Sequence, residues 1–353
     1  MTRFSSILTG IHPLSEPLIR KIFDFKYGRT SSPDNVKKAF KDDIINLTKL
    51  LTQTSCLAIS TGNLGWWDIF RPFSEELGGL STDKSVKNLP VARIPLTNTF
   101  YRQPIVTGRI FSENSILQNA KHPFLDGNIL QMPFLPSELK NNAWSICLPG
   151  PFSFSRAAAI NEDGDKVYKS IDDLMIDFSE ILISELKFLS SRGYSHIVFN
   201  ESFIAWESIG KDTISLLNDL WSQISSSTSL NIAFHTYNQL SSDILHLLLN
   251  SNAWAIGVDC LRNNIQELLS YDINGKSLIA GVVDAQSYFR DAQGELVVEK
   301  SDELIKLGSE LAESQAKEII LAPTSRLEFV PRAVADLKVQ QLGKVIVKLL
   351  KDR

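Results

Sequence analysis

The chain has 353 residues, 43% of them hydrophobic, enough to bury a large core as either one big barrel or two ordinary domains. Its 36 basic and 40 acidic residues leave a net charge of -4 spread along the chain, which removes the electrostatic reason to expect nucleic acid or an anionic membrane. Cys56, Cys147 and Cys260 each sit in an apolar run without CxxC spacing, so they read as buried free thiols in a reducing, cytoplasmic compartment rather than a disulfide framework or metal cluster.

In chain order, the N-terminus, Met1-Thr2-Arg3-Phe4-Ser5-Ser6, has no long apolar h-region. No stretch reaches the roughly 18 apolar residues of a membrane span, so a soluble protein is expected. Short runs rich in Ile, Val, Leu and Ala then recur at 6–10, 56–61, 144–148, 196–201, 231–237, 254–260, 277–284 and 318–323, and read as buried parallel strands. Amphipathic stretches at 37–52, 171–191 and 302–316 lie between them, with leucines and isoleucines at helical spacing. About eight strands alternating with helices predict a single α/β domain, a (β/α)8 TIM barrel spanning 1–353. An open doubly wound sheet is the weaker alternative, because no G-x-G-x-x-G turn follows the first strand. Residues 71–142 interrupt the alternation with prolines, aromatics and polar residues, a length that marks a lid or binding insertion.

In such barrels the active site sits at the C-terminal strand ends. Here those ends carry Asn200-Glu201-Ser202, His235-Thr236-Tyr237, Asp259, Asp284 and Ser325-Arg326, so four of the eight present a carboxylate or an imidazole. Individually each has a structural reading: Asp259 and Asp284 suit helix N-caps, and a lone His is often a satisfied structural group. Their shared position on one rim is what favours a binding site.

Several strand-end phrases resemble the cobalamin-independent methionine synthases, and the likeness spans nearly the whole chain. Thr61-Gly62-Asn63-Leu64-Gly65-Trp66-Trp67-Asp68 is similar to that family's G-x-x-x-W-x-D segment. Thr97-Asn98-Thr99-Phe100-Tyr101-Arg102-Gln103-Pro104 is similar to its threonine-asparagine-aromatic segment, and Leu148-Pro149-Gly150-Pro151-Phe152-Ser153 to its L-x-G-P-x-T/S turn. Asn200-Glu201-Ser202 stands where the family has Asp-Glu-Pro.

Full-length members carry two homologous barrels, and the resemblance implies a fold of the methionine synthase and uroporphyrinogen decarboxylase type. Carried over from the zinc-bearing C-terminal barrel, the ligand positions are His235, Tyr237, Asp259 and Ser325, of which only His235 matches outright. Neutral Tyr and Ser oxygens are poor zinc ligands, so no metal site is expected in this chain. Ile256-Gly257-Val258-Asp259-Cys260-Leu261 and the segment from Ala280 to Arg290 look more like the N-terminal barrel, which helps to dock the folate donor.

The resemblance therefore implies a donor-docking, zinc-less half of a split methyltransferase of methionine biosynthesis. Homocysteine and a methyl-pterin would be its small-molecule substrates, and zinc would sit only on a homologous partner barrel. His235, Asp259 and Asp284 are the catalytic candidates. Trp66, Trp67, Asp68, Asn98, Tyr101, Asn200, Glu201, Tyr237 and Ser325 are the candidates for substrate or cofactor binding. A barrel that binds without turnover, and a methyltransferase using a corrinoid or another donor, remain open alternatives. The basic residues Arg20, Lys21, Lys26, Lys37 and Lys38 fall where the family has a basic stretch, but read best as a solvated helix face.

Overall fold

Seven strands with almost every residue buried form one parallel sheet. Their order in space is Arg3–Ser6, Glu318–Pro323, Ser277–Val283, Ala255–Asp259, Asn231–Thr236, His196–Glu201 and Ser145–Pro149. The computed structural model describes residues 2–29, 32–81, 91–93, 99–120, 139, 141–205, 208–273 and 275–352. Burial on both faces is why these strands are continuous apolar runs rather than alternating ones.

The eighth position is filled by irregular chain. Cys56 bridges to Ser6 on one edge of the sheet, and Ile59 bridges to Trp144 on the other. The Leu57 N–H donates to the Ser6 carbonyl at 2.8 Å, and the Ser145 N–H to the Ile59 carbonyl at 2.8 Å, so this segment closes the barrel. The expected strand at 56–61 is thus not a regular one: it pairs with one neighbour at its start and the other at its end, leaving no run of consecutive pairs. The first strand is Arg3–Ser6 rather than 6–10, while Ile7 and Leu8 continue buried in the core.

Helices cover the outside. Ile171–Ser191 opens on a capping box in which the Ser170 side chain accepts from the Asp173 N–H and the Asp173 carboxylate accepts from the Ser170 N–H. The other two expected helices are found at Asp34–Thr52 and Ser301–Leu311. Cys147 and Cys260 are buried and Cys56 half-buried, and all three are free. Among the described residues no helix is long and apolar enough to cross a membrane.

The interruption after the second strand position carries structure of its own. Gly78–Ser81 pairs antiparallel with Ile105–Phe111, which also pairs in parallel with Ala159–Ile160, and Val91–Arg93 pairs antiparallel with Phe100–Arg102. Glu185 fastens it to the barrel: its carboxylate accepts from the Ser115 hydroxyl at 2.8 Å and from the Ile116 and Leu117 N–H groups at 2.6 and 3.1 Å, at the start of the helix Ile116–Asn119. From the strand Phe100–Arg102, Tyr101 reaches the barrel rim, where its hydroxyl donates to Glu328.

Candidate ligand-binding site at the barrel rim

The centre of the rim is Arg326, the second residue beyond Pro323-Thr324, with a side chain fully enclosed. Its guanidinium carbon lies 5.3 Å from the Tyr101 ring centre, 5.8 Å from that of Tyr237 and 5.7 Å from that of Phe329. Such distances are those of cation–π contacts. Nε approaches the Glu328 carboxylate at 3.2 Å but without hydrogen-bond alignment, and neither terminal nitrogen has a hydrogen-bond partner among the described residues. Glu328 in turn accepts from the Tyr101 hydroxyl. Burial works against the guanidinium charge, but Tyr101, Glu328, Tyr237 and the nearby Asp68 outweigh it, so Arg326 stays charged. Burial likewise pushes the Glu328 and Asp68 carboxyls up.

Near it on the rim stand buried polar atoms with no hydrogen-bond partner among the described residues: both ring nitrogens of His235, the Tyr237 hydroxyl, both amide atoms of Asn200 and the Ser325 hydroxyl. The His235 and Tyr237 rings meet edge to face at 5.1 Å. Gly257 on the neighbouring strand makes room for the imidazole, since a Cβ there would stand 2.3 Å from His235 Cδ2. Burial lowers the His235 pKa to about 3, so the ring is neutral and offers one donor and one acceptor. Asn63 donates to the Cys147 carbonyl at 2.9 Å and leaves its own carbonyl oxygen unpaired. A buried polar group left so costs about 1–3 kcal/mol. Orphans at the opposite strand ends, such as Trp144 and Ser277, occur singly, whereas those at the C-terminal ends cluster. A cluster of this kind is where a ligand supplies the missing partners.

The structure thus brings together Asp68, Tyr101, Asn200, His235, Tyr237 and Ser325 of the residues singled out in the sequence. It separates others from them. Glu201 is fully enclosed and turned to the helix Pro151–Ala157, accepting from the Phe152 and Ser153 N–H groups at 3.2 and 2.8 Å and from Trp221 Nε1 at 3.3 Å. Asp259 accepts from the Leu261 and Arg262 N–H groups at 3.0 and 3.2 Å and pairs with the Arg262 guanidinium at 2.9 Å. Arg262 reaches on to Asp284 at 3.4 Å. Burial raises the Asp259 carboxyl, while at Asp284 burial is overcome by the Gln286 N–H, Ser287 and Arg262, which hold it low. Trp66 is core and Trp67 is 51% exposed. Asn98 lies outside the described residues. The sequence reading passed over Glu328 and Asn63, and named Arg326 only as a residue closing the last strand.

Zinc does not fit these residues. At the positions corresponding to the family's ligands, Tyr237 and Ser325 offer neutral oxygens, and Asp259 is already engaged by Arg262 and two backbone N–H groups. Among the described residues no group of three His, Cys, Asp or Glu side chains could hold a metal ion.

A closed parallel barrel with buried polar groups gathered at its C-terminal rim is the architecture of a TIM barrel. The family follows from the sequence: residues 125–304 match the model of the cobalamin-independent synthase N-terminal domain, and the chain belongs to that family. Its fold is similar to that of a B12-independent methionine synthase from Shewanella sp. W3-18-1 solved in complex with selenomethionine, with a TM-score of 0.71 and 16% identity over 98% of each chain. A putative vitamin-B12-independent methionine synthase from Listeria monocytogenes is similar at TM-score 0.67 and 12% identity, covering 99% of this chain and 98% of that one. A methyltransferase from Methanosarcina mazei follows at 0.57 and 14%, covering 99% and 94%. At these identities the likeness shows the fold. No curated relative matches the chain.

Proposed function

We propose that this chain is a methionine-synthase-like methyltransferase barrel that docks a reduced pterin methyl donor at its rim and works beside a homologous barrel carrying zinc. The observation that supports it is the cluster of unpaired buried polar groups at Asn200, His235, Tyr237, Ser325 and Arg326, in a rim with no thiolate at positions 237 or 325. Such a rim can bind and orient a polar ligand but cannot activate a thiol through a metal. Metal activation of homocysteine would then fall to the partner barrel, while this rim holds the pterin so that its methyl carbon is open to a thiolate and its nitrogen can take up a proton as the carbon–nitrogen bond breaks.

In this reading Trp67, half-exposed, supplies a stacking face for the pterin ring, and the Asn200 amide meets the polar edge of that ring. Asn98 would add a second amide. Asp284, paired with Arg262, accepts from a donor N–H group. The neutral His235 imidazole gives one hydrogen bond to the ligand and accepts another from it. The Shewanella methionine synthase of the same fold was solved in complex with selenomethionine, which supports an amino acid of the methionine type as the other ligand.

One observation favours a second reading, a barrel that binds without turnover: Glu201 and Asp259 have their oxygens engaged within the protein, which leaves neither free as a base. Reconstitution separates the two. Purified chain is mixed with a zinc-bearing homologous barrel from the same cell, and methionine formation from methyl-pterin and homocysteine is followed. Activity that needs both proteins is the expected result, and undiminished activity of the zinc barrel alone contradicts the split-enzyme reading.

A further inference from the structure

We propose that the Arg326 guanidinium is the seat of a ligand's aliphatic carboxylate, an inference that rests on the donor-docking reading and names the group this rim recognises. Three observations carry it. Both terminal nitrogens, Nη1 and Nη2, are fully buried and find no acceptor among the described residues, and Nε is not aligned for a bond to Glu328 although the two are 3.2 Å apart. Three aromatic rings, Tyr101, Tyr237 and Phe329, stand within 5.8 Å of the guanidinium carbon and none of them supplies an acceptor to the Nη atoms. Finally, the chain beyond the first strand is shaped around the side chain: a Cβ on Gly10 would stand 2.0 Å from Arg326 Cγ, so the arginine stem occupies the space a side chain would take there.

A guanidinium presents paired N–H donors in a fixed fork, which matches the two oxygens of a carboxylate. A purely structural arginine at a barrel end would direct those donors to carbonyl oxygens or a carboxylate of the fold, as Arg332 does toward the Pro13 carbonyl, Asp43 and Asp336. Arg326 does not. The unpaired Ser325 hydroxyl next to it and the Tyr237 hydroxyl across from it are further donors for the same anion. Because the guanidinium is enclosed, a ligand reaches it when the Tyr101 ring moves aside, parting from Glu328.

Two ligands of this reaction class carry such a group: the amino acid, with its α-carboxylate, and the donor, with its glutamyl carboxylates. Calorimetry on the full chain with matched probes tells them apart. L-methionine is compared with 3-(methylthio)propylamine, and 5-methyltetrahydrofolate with 5-methyltetrahydropteroate, which lacks the glutamyl group. The expected result is a loss of at least about tenfold in affinity on removing the carboxylate from one of the two ligands. Arg326→Lys, which keeps the charge and loses the fork, should erase most of that difference while binding the carboxylate-free probe as wild type does. The comparison on wild-type protein stands even if the variant fails to fold. Equal affinities within both pairs overturn the carboxylate seat while leaving donor docking in place. Absence of binding by all four probes overturns both.

Discussion

Gly10 lies so close against Arg326 that a Cβ built on it would stand 2.0 Å from the arginine Cγ and 2.9 Å from its Cβ. The loops that follow the first strand and the last one are therefore fitted to each other at the rim. Gly10→Ala should destabilise the protein by about 1–3 kcal/mol through overpacking. In an Arg326→Ala background the same substitution should cost clearly less, because the Cγ clash is removed and only the 2.9 Å approach to Cβ remains. Denaturant unfolding of the four proteins reads this coupling, and an equal cost in both backgrounds would show that the strand, not the arginine, resists the methyl group.

Burial depresses the His235 pKa from 6.5 to about 3. Below pH 6.5 the unfolded chain takes up a proton that the folded chain refuses, so this group's contribution is complete above pH 6.5 and is lost as pH falls toward 3. The slope is at most about 1.4 kcal/mol per pH unit. His235→Leu removes the titration, and the stability of wild type relative to the variant should fall by about 2 kcal/mol between pH 6.5 and pH 5. His196, lowered to about 4 by burial, adds a loss of the same sign that persists in the variant. Unfolding curves parallel at both pH values would mean that the imidazole is solvated.

Glu201→Ala leaves the Phe152 and Ser153 N–H groups and Trp221 Nε1 without their acceptor. A loss of roughly 2–4 kcal/mol is expected from three orphaned donors and the vacated space. Gly150, where a Cβ would stand 2.2 Å from the Glu201 carboxyl carbon, should be equally intolerant of alanine. A thermal-shift series checks both, and unchanged melting would place the carboxylate in solvent and return it to the list of ligand-facing groups.

Cys147 and Cys260 are enclosed, with burial raising their pKa values, and burial pushes the half-buried Cys56 up to about 12. Thiolate is the reactive form, so a chromogenic disulfide reagent at pH 7.5 should react slowly with the native chain and with all three thiols once it is unfolded. Rapid native labelling of Cys147 would reveal an open path into the barrel beneath Asn200.

The strand ends could be read from sequence because doubly buried parallel strands leave continuous apolar runs, and the residue closing each run falls on the rim. His235, Tyr237 and Ser325 were legible for that reason. Arg326 was not, since an arginine beyond a strand end ordinarily reads as solvated. Its burial depends on Tyr101, delivered by an insertion whose apolar residues have no clean period. Glu201 shows the opposite error. Its carboxylate faces the start of the helix Pro151–Ala157, and the signal was the Pro149-Gly150-Pro151 turn, which opens a helix whose first N–H groups need an acceptor. The strand at 56–61 misled because its composition is that of a strand, whereas ladder pairing is set by neighbours, and here they change halfway along.

The most direct test of the donor-docking claim is calorimetric titration of 5-methyltetrahydrofolate into the isolated chain with a chelator present, so that no metal contributes. A saturable 1:1 isotherm, weakened at least about tenfold by Asn200→Ala, is the predicted result. A flat titration at millimolar donor would contradict it.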